Sequence, residues 1–192
     1  MFILASQSPR RRELLSRLGL EFEIITADID ETMDPGLSVR DAVAVVCEKK
    51  ARAVGKDHPG RLILSADTIV VVDDKILGKP HSEAEAKDML RTLSGRTHCV
   101  MTAFCLWQDG RVETHVEETH IRFKPLSDAE IDAYVATGSP MDKAGAYGIQ
   151  DHASVFAEAL EGDYNNVMGL PVCSVVKALR RHGIPVLGTT QP

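Results

Sequence analysis

The sequence predicts an α/β fold, a mixed twisted sheet with flanking helices. Helix-start signals alternate along the chain with short runs rich in Ile, Val and other apolar residues. The dipeptide Asp109-Gly110, set between two long strand-like runs, marks a hairpin, so at least one strand pair is antiparallel. Size agrees: 192 residues, 44% hydrophobic and 26% charged, read as one domain, 1–192, large enough to bury a core without staples.

In order, residues 3–5 form a short strand, and Ser8 with Pro9 opens a helix that ends near Gly19. Residues 21–27 alternate as a strand. Ser38 caps a helix with apolar residues at 39, 42, 43 and 46, which stops at Gly55. Residues 62–72 are a long strand, turned at Asp73-Asp74-Lys75. Ser82-Glu83-Ala84-Glu85 is a capping box for a helix closed by Gly95. Residues 98–107 and 112–123 are the hairpin strands. A second capping box, Ser127-Asp128-Ala129-Glu130, starts a helix ended by Gly138. After a loop through Gln150, residues 153–160 read as a strand, Pro171 starts a helix closed by Gly183, and residues 184–187 are a last strand. No 20–50-residue repeat or low-complexity tract interrupts this order.

Composition excludes several classes. A net charge of −6 and pI near 5.6 oppose a broad nucleic-acid-binding surface, though not a local anion site. No apolar run reaches membrane-spanning length, and the N-terminus passes from Met1-Phe2-Ile3-Leu4-Ala5 into a polar, Arg-rich stretch unlike a signal peptide. Cys47, Cys99, Cys105 and Cys173 form no C-x-x-C pair and lie in apolar stretches, so they read as reduced core residues of a cytoplasmic protein. P-loop, dinucleotide-fold, zinc-protease and serine-hydrolase motifs do not occur. His98 and His120, each inside a strand run, read as structural.

Function is sought where local rules are broken. Arg10, Arg11 and Arg12 fill the first turn of the helix after Pro9, where the dipole is positive and each cation costs about 0.3–1 kcal/mol. A bound anion held by backbone N–H groups, Ser6, Ser8 and the guanidinium groups would resolve this, as would a solvated turn paired with Glu13. Asp67 sits among β-branched residues, where a carboxylate needs a partner, a metal or a strand-end backbone donor. Pro80 fixes Lys79 in an extended backbone that suits a phosphate contact or simple surface display. Glu31, in an acidic cluster, reads as a metal ligand or a solvated loop residue; Lys49 and Lys50 suit a helix C-terminus in any case. The small residues from Lys143 to Gln150 allow close approach to a ligand or mark a turn, and a Gln amide can both donate to and accept from a nucleobase edge. Residues alone point to metal-assisted chemistry on a phosphorylated substrate.

Six motifs occur together: Ser6-x-Ser8-Pro9-Arg10-Arg11, Ala66-Asp67-Thr68, Gly78-Lys79-Pro80, Leu93-Ser94-Gly95-x-Thr97-His98, Lys143-Ala144-Gly145-Ala146-Tyr147-Gly148-Ile149-Gln150 and Val167-x-Gly169-Leu170-Pro171. Their order and spacing resemble the Maf family over nearly the whole chain. The resemblance implies a nucleoside triphosphate pyrophosphatase, an inosine-triphosphatase-like fold with two lobes around a long cleft, a divalent cation (Mg²⁺ or Mn²⁺) and a homodimer. It also implies site roles. Asp67 looks like the general base, Ser6, Arg11, Lys50 and Lys79 would face the triphosphate, and Glu31 with Asp67 would place the metal. Lys50 is chosen over Lys49 because it precedes Ala51. Arg10, Thr68 and Gln150 match the family's dTTP/UTP branch, whereas the branch acting on 7-methyl-GTP has Trp, Gln and Glu there. The expected reaction is hydrolysis of dTTP and UTP to monophosphate and pyrophosphate, as house-cleaning of modified pyrimidine nucleotides. The alternatives are 7-methyl-GTP or another noncanonical nucleotide as substrate, or a nucleotide-binding regulator of septum formation.

Overall fold

The computed structural model describes residues 1–191. The elements run β1 (Phe2–Leu4), α1 (Pro9–Arg17), β2 (Phe22–Ile24), α2 (Val39–Gly55), β3 (Ile63–Val72), β4 (Lys75–Leu77), α3 (Glu83–Leu93), β5 (Thr97–Gln108), β6 (Arg111–Phe123), α4 (Asp128–Val135), β7 (Ala157–Glu161), α5 (Tyr164–Val167) and α6 (Val172–Arg181). The strands form one sheet in the order β2-β1-β3-β5-β6-β7, with β4 paired to β3. β1 runs parallel to β2 and β3, while β3–β4 and β6–β7 are antiparallel, so the sheet is mixed as the sequence predicts.

The chain divides into two compact units. The first comprises Met1–Asp67, Thr102–Glu117 and Gly169–Pro192; the second comprises Thr68–Met101 and Glu118–Met168. In the first, the β1 and β3 side chains Phe2, Ile3, Leu4, Ile63 and Leu64 are fully buried, as are Val43, Val46, Cys47 and Ala51 on one face of α2. Ser38 caps α2, its hydroxyl accepting the Asp41 N–H. In the second, Val70, Leu90, Leu93, Ile121, Phe123, Ile131, Tyr134, Tyr147 and Phe156 share one core. Edge-to-face contacts join Phe123 to Tyr147 (4.8 Å), Phe123 to His98 (4.8 Å) and Tyr134 to Phe156 (5.4 Å).

Several expectations change. Asp109 and Gly110 both have positive φ (49° and 85°), as the hairpin requires, and Ser127 with Glu130 forms the full capping box. At α3 the box is open. Ser82 accepts the Glu85 N–H, but the Glu85 carboxylate takes the N–H of His81 instead. The strand expected at 153–160 begins only at Ala157. The Asp151 carboxylate accepts the Ala153 N–H and starts a 3-10 turn, His152–Phe156, that points Ala153 and Phe156 inward together. Residues 184–187 make no strand beyond a single bridge, Val186 to Thr189, because the end of α6 folds back through Ile184 N–H to Leu179 carbonyl. β2 stops at Ile24, shorter than residues 21–27, because its partner in the ladder, Leu4, is the last residue of β1. Cys47 and Cys105 are buried, Cys99 is partly so, and Cys173 is exposed on α6, which corrects the reading of all four as core residues.

α2 ends at Gly55 as the sequence predicts, and the glycine has a packing role besides. It is the last residue of α2, and the cap is Lys56 in right-handed helical conformation. A Cβ on Gly55 would lie 2.2 Å from the Trp107 ring, so the glycine admits an indole. Helix propensity alone would favour Gly55→Ala by about 1 kcal/mol. The overlap instead predicts destabilisation of about 1–3 kcal/mol by urea denaturation; a stabilised variant would show that the indole moves aside freely.

His98 makes the second unit sensitive to acid. It is buried, its Nε2 lies 2.7 Å from the Tyr147 hydroxyl, and its Nδ1 has no partner among the described residues. Burial pushes its pKa down to about 4 from 6.5, with His120 adding to the shift. A depressed folded pKa gives stability that is complete above pH about 6.5 and is lost as pH falls through about 4. The expected loss between pH 7.5 and 4 is about 3 kcal/mol more in the natural protein than in His98→Gln. Equal losses in the two would assign the acid sensitivity elsewhere.

Candidate functional site

In the first unit, α2 and β3 meet through a buried polar contact. The Ser65 hydroxyl donates to the Cys47 carbonyl at 2.7 Å, and the Cys47 thiol donates to the Ala103 carbonyl at 3.4 Å. Lys50 follows Cys47 by three residues and so shares its helix face. Asp67 follows Ser65 by two residues and so shares its sheet face. These periodicities bring the Lys50 ammonium to Asp67 Oδ1 at 2.7 Å, with Glu31 Oε2 at 2.8 Å from the same nitrogen. Lys50 and Asp67 are 15% and 14% exposed, Glu31 59%, so the lysine bridges one sheltered and one solvated carboxylate. Lys49 is exposed. Burial holds the Cys47 thiol well above its ordinary range, which leaves it unreactive.

Arg11 is the buried member of the arginine turn. Its Nε donates to the Gly169 carbonyl at 2.7 Å and its guanidinium to the Ser6 hydroxyl at 3.0 Å. Burial lowers its pKa, while Asp67 and, more weakly, Glu31 act in the opposite direction. Ser8 takes the N-cap position of α1, but its side chain caps nothing among the described residues; its N–H donates instead to the Ser6 hydroxyl at 3.3 Å. Arg10 is half-buried on the same turn and Arg12 is exposed. The first turn of α1 thus combines three arginines, a serine hydroxyl and the N-terminal amide groups.

The structure therefore brings Ser6, Arg11, Glu31, Lys50 and Asp67 together in the first unit. Thr68, Lys79 and Gln150 belong to the second. Thr68 is half-buried in β3, and Lys79 and Gln150 are exposed. The glycines near Gln150 serve the protein's own packing. Gly145, at φ +67°, donates to the Gly78 carbonyl at 3.0 Å, and a Cβ there would lie 2.9 Å from Val70. This places the segment containing Gln150 against the one containing Lys79. Ser94 and Gly95 likewise have structural partners, the N–H of Leu126 and the carbonyl of Lys124. Sequence reasoning missed the Cys47–Ser65 brace and the Gly169 carbonyl. Only the Gly169-Leu170-Pro171 motif hinted at the second.

Two carboxylates from separate segments converge on one cationic nitrogen, a donor set that fits a hard divalent ion. Such an ion needs only one or two carboxylates when phosphate oxygens and water complete its shell. No cluster of three or more His, Cys, Asp and Glu side chains suited to a metal occurs among the described residues. With Arg11, Lys50 and the α1 N-terminus close by, the group can hold an anion and accept a proton beside it.

Comparison with known proteins gives a consistent picture. The family described as Maf-like protein matches residues 1–182. A protein of Pasteurella multocida named dTTP/UTP pyrophosphatase is 46% identical over 192 residues, covering 95% of this chain and 96% of that one. Proteins of the same name from Halalkalibacterium halodurans and Salinibacter ruber are 49% and 50% identical, covering 94% and 93% of this chain and 95% and 89% of theirs. The solved Ham1 protein of Staphylococcus aureus aligns with a TM-score of 0.44 and 13% identity, over 64% of this chain and 71% of that one. No helix among the described residues is long and apolar enough to cross a membrane. A match over 182 residues and identities near one half across almost the full length place the chain in the Maf family.

Proposed function

We propose that the chain hydrolyses dTTP and UTP to the nucleoside monophosphate and pyrophosphate. The observation that carries this reading is the convergence of Ser6, Arg11, Glu31, Lys50 and Asp67, with the names of the close relatives in support. Splitting an α–β phosphoanhydride needs a water in line with the leaving group and positive charge where pyrophosphate departs. Asp67 accepts the proton of the attacking water. Arg11, with Ser6 beside it, binds phosphate oxygens through its guanidinium fork, and Lys50 and Lys79 neutralise the departing charge. Mg²⁺ or Mn²⁺ held by Asp67 and Glu31 would add Lewis-acid charge stabilisation. Lys50 already lies between these carboxylates, so it keeps both oriented in the free protein. Arg10, Thr68 and Gln150 select the pyrimidine. A Gln amide matches a base edge that presents both a carbonyl and an N–H, as uracil and thymine do. The proposed setting is a cytoplasmic homodimer.

Purified protein with a nucleotide panel is expected to release pyrophosphate and monophosphate from dTTP and UTP, to stop with chelator and to recover with Mg²⁺ or Mn²⁺. Absence of both products from both nucleotides would overturn the reading. Asp67→Asn is expected to remain folded, because Lys50 keeps Glu31 as a partner. Its turnover should fall by about 10²–10⁴-fold; activity near that of the natural protein would remove Asp67 from the role of base.

A further inference from the structure

Gln150 sits in a β-turn closed by the Asp151 N–H donating to the Gly148 carbonyl at 3.2 Å, with Ile149 and Gln150 as its central residues. Both ends of this turn are tied to the Tyr134 hydroxyl of α4. That oxygen accepts the Gly148 N–H at 3.1 Å and donates to the Asp151 carboxylate, whose oxygens lie at 3.1 and 3.2 Å. Asp151 is held from three further directions: by the Ser139 hydroxyl at 2.5 Å, the Ala153 N–H at 2.9 Å and the Lys143 ammonium at 3.7 Å. Tyr134 is itself immobilised, 3% exposed and edge-on to Phe156. The packing is tight at the turn's first residue, where a Cβ on Gly148 would lie 2.6 Å from Lys143 Cε and 2.7 Å from Asp151 Oδ2. The Gln150 side chain is exposed at this turn, beside an open depression that it borders with Tyr134 and Phe156.

We infer that Tyr134 and Asp151 are a positioning pair for Gln150, holding the backbone of its turn fixed so that the side chain meets the pyrimidine from one place and over a narrower range of amide orientations than a mobile loop would allow. The inference rests on the proposed dTTP/UTP specificity. Uracil and cytosine differ by exchange of acceptor and donor at one edge, and an amide free to rotate pairs with either. Discrimination therefore depends on the orientation of the amide as much as on its presence.

The test measures kcat and KM of the natural protein, Tyr134→Phe, Asp151→Asn, Gln150→Ala and the Tyr134→Phe/Gln150→Ala double variant on dTTP, UTP and dCTP, with thermal midpoints alongside. Tyr134→Phe keeps the ring and removes the hydroxyl. It is expected to lower kcat/KM for dTTP and UTP about tenfold, through KM, and to leave dCTP within about twofold. In the Gln150→Ala background it should have no further effect on the dTTP-to-dCTP ratio, because the group it positions is gone. Asp151→Asn, which retains an acceptor for Ala153, should show the same loss of selectivity and supplies the answer should Tyr134→Phe not fold. Equal falls for all three nucleotides, an unchanged ratio, or additive effects in the double variant would each overturn the positioning role. A natural protein that turns over neither dTTP nor UTP would overturn the functional reading and this one with it, whereas active protein with unselective variants removes only the latter.

Discussion

The bond from the buried Ser65 hydroxyl to the Cys47 carbonyl is the constraint on which the charged site of the first unit depends. That carbonyl already lies within a helix, so the bond fixes the rotation of α2 about its axis as well as its distance from β3. A shift of one residue would turn Lys50 by about 100° around the helix, and a one-residue slip of β3 would send Asp67 to the opposite face. Either would leave a largely sheltered charge without its partner, which is far costlier than losing a surface pair. Lys50 is paired with Asp67 and Glu31, and the charges of both carboxylates also act on Arg11, which Ser6 and Gly169 hold in place, so the carboxylates are partly offset before any ligand arrives. The acidity of the whole chain bears on solubility and encounter, and leaves this local pairing intact.

In the second unit the corresponding constraint is aromatic. His98, Phe123, Tyr147, Phe156 and Tyr134 meet edge to face, and the polar tips of His98 and Tyr147 satisfy each other inside the core. The cluster grips the segment that begins at Lys143 through Tyr147, while Tyr134 holds its far end by hydrogen bonds. A chain rich in glycine and alanine would otherwise be costly to order.

Local chemistry made much of this legible in the sequence. The caps at Ser38, Ser82 and Ser127, the Asp109-Gly110 turn and the alternation of elements are decided within a few residues, and the structure follows them. Long-range partners decide the rest. Trp107 requires that the last residue of α2 be a glycine, and the Asp151 carboxylate turns residues 153–156 into a 3-10 turn although their composition suits a strand. The pairing of Lys50 with Asp67 could be suspected from residue types, but the serine that enforces it resembles any polar residue in a strand. Arg11 differs from Arg10 and Arg12 only through its burial against Ser6 and Gly169, which composition cannot express.

The division of the chain between its two units has a consequence for how the protein can be altered. Three of the four crossings fall inside strands, within β3 after Asp67, within β5 after Met101 and within β6 after Glu117. Neither unit is a contiguous stretch of the gene, so no single truncation, fusion junction or protease cut releases one intact. Any exchange of one unit between relatives must splice at mid-strand positions, where backbone ladder bonds and side-chain alternation have to match on both sides of the joint. The first of those joints separates Asp67 from Thr68, so the residue read as the base and one read as choosing the pyrimidine would be inherited from different parents in such a chimera.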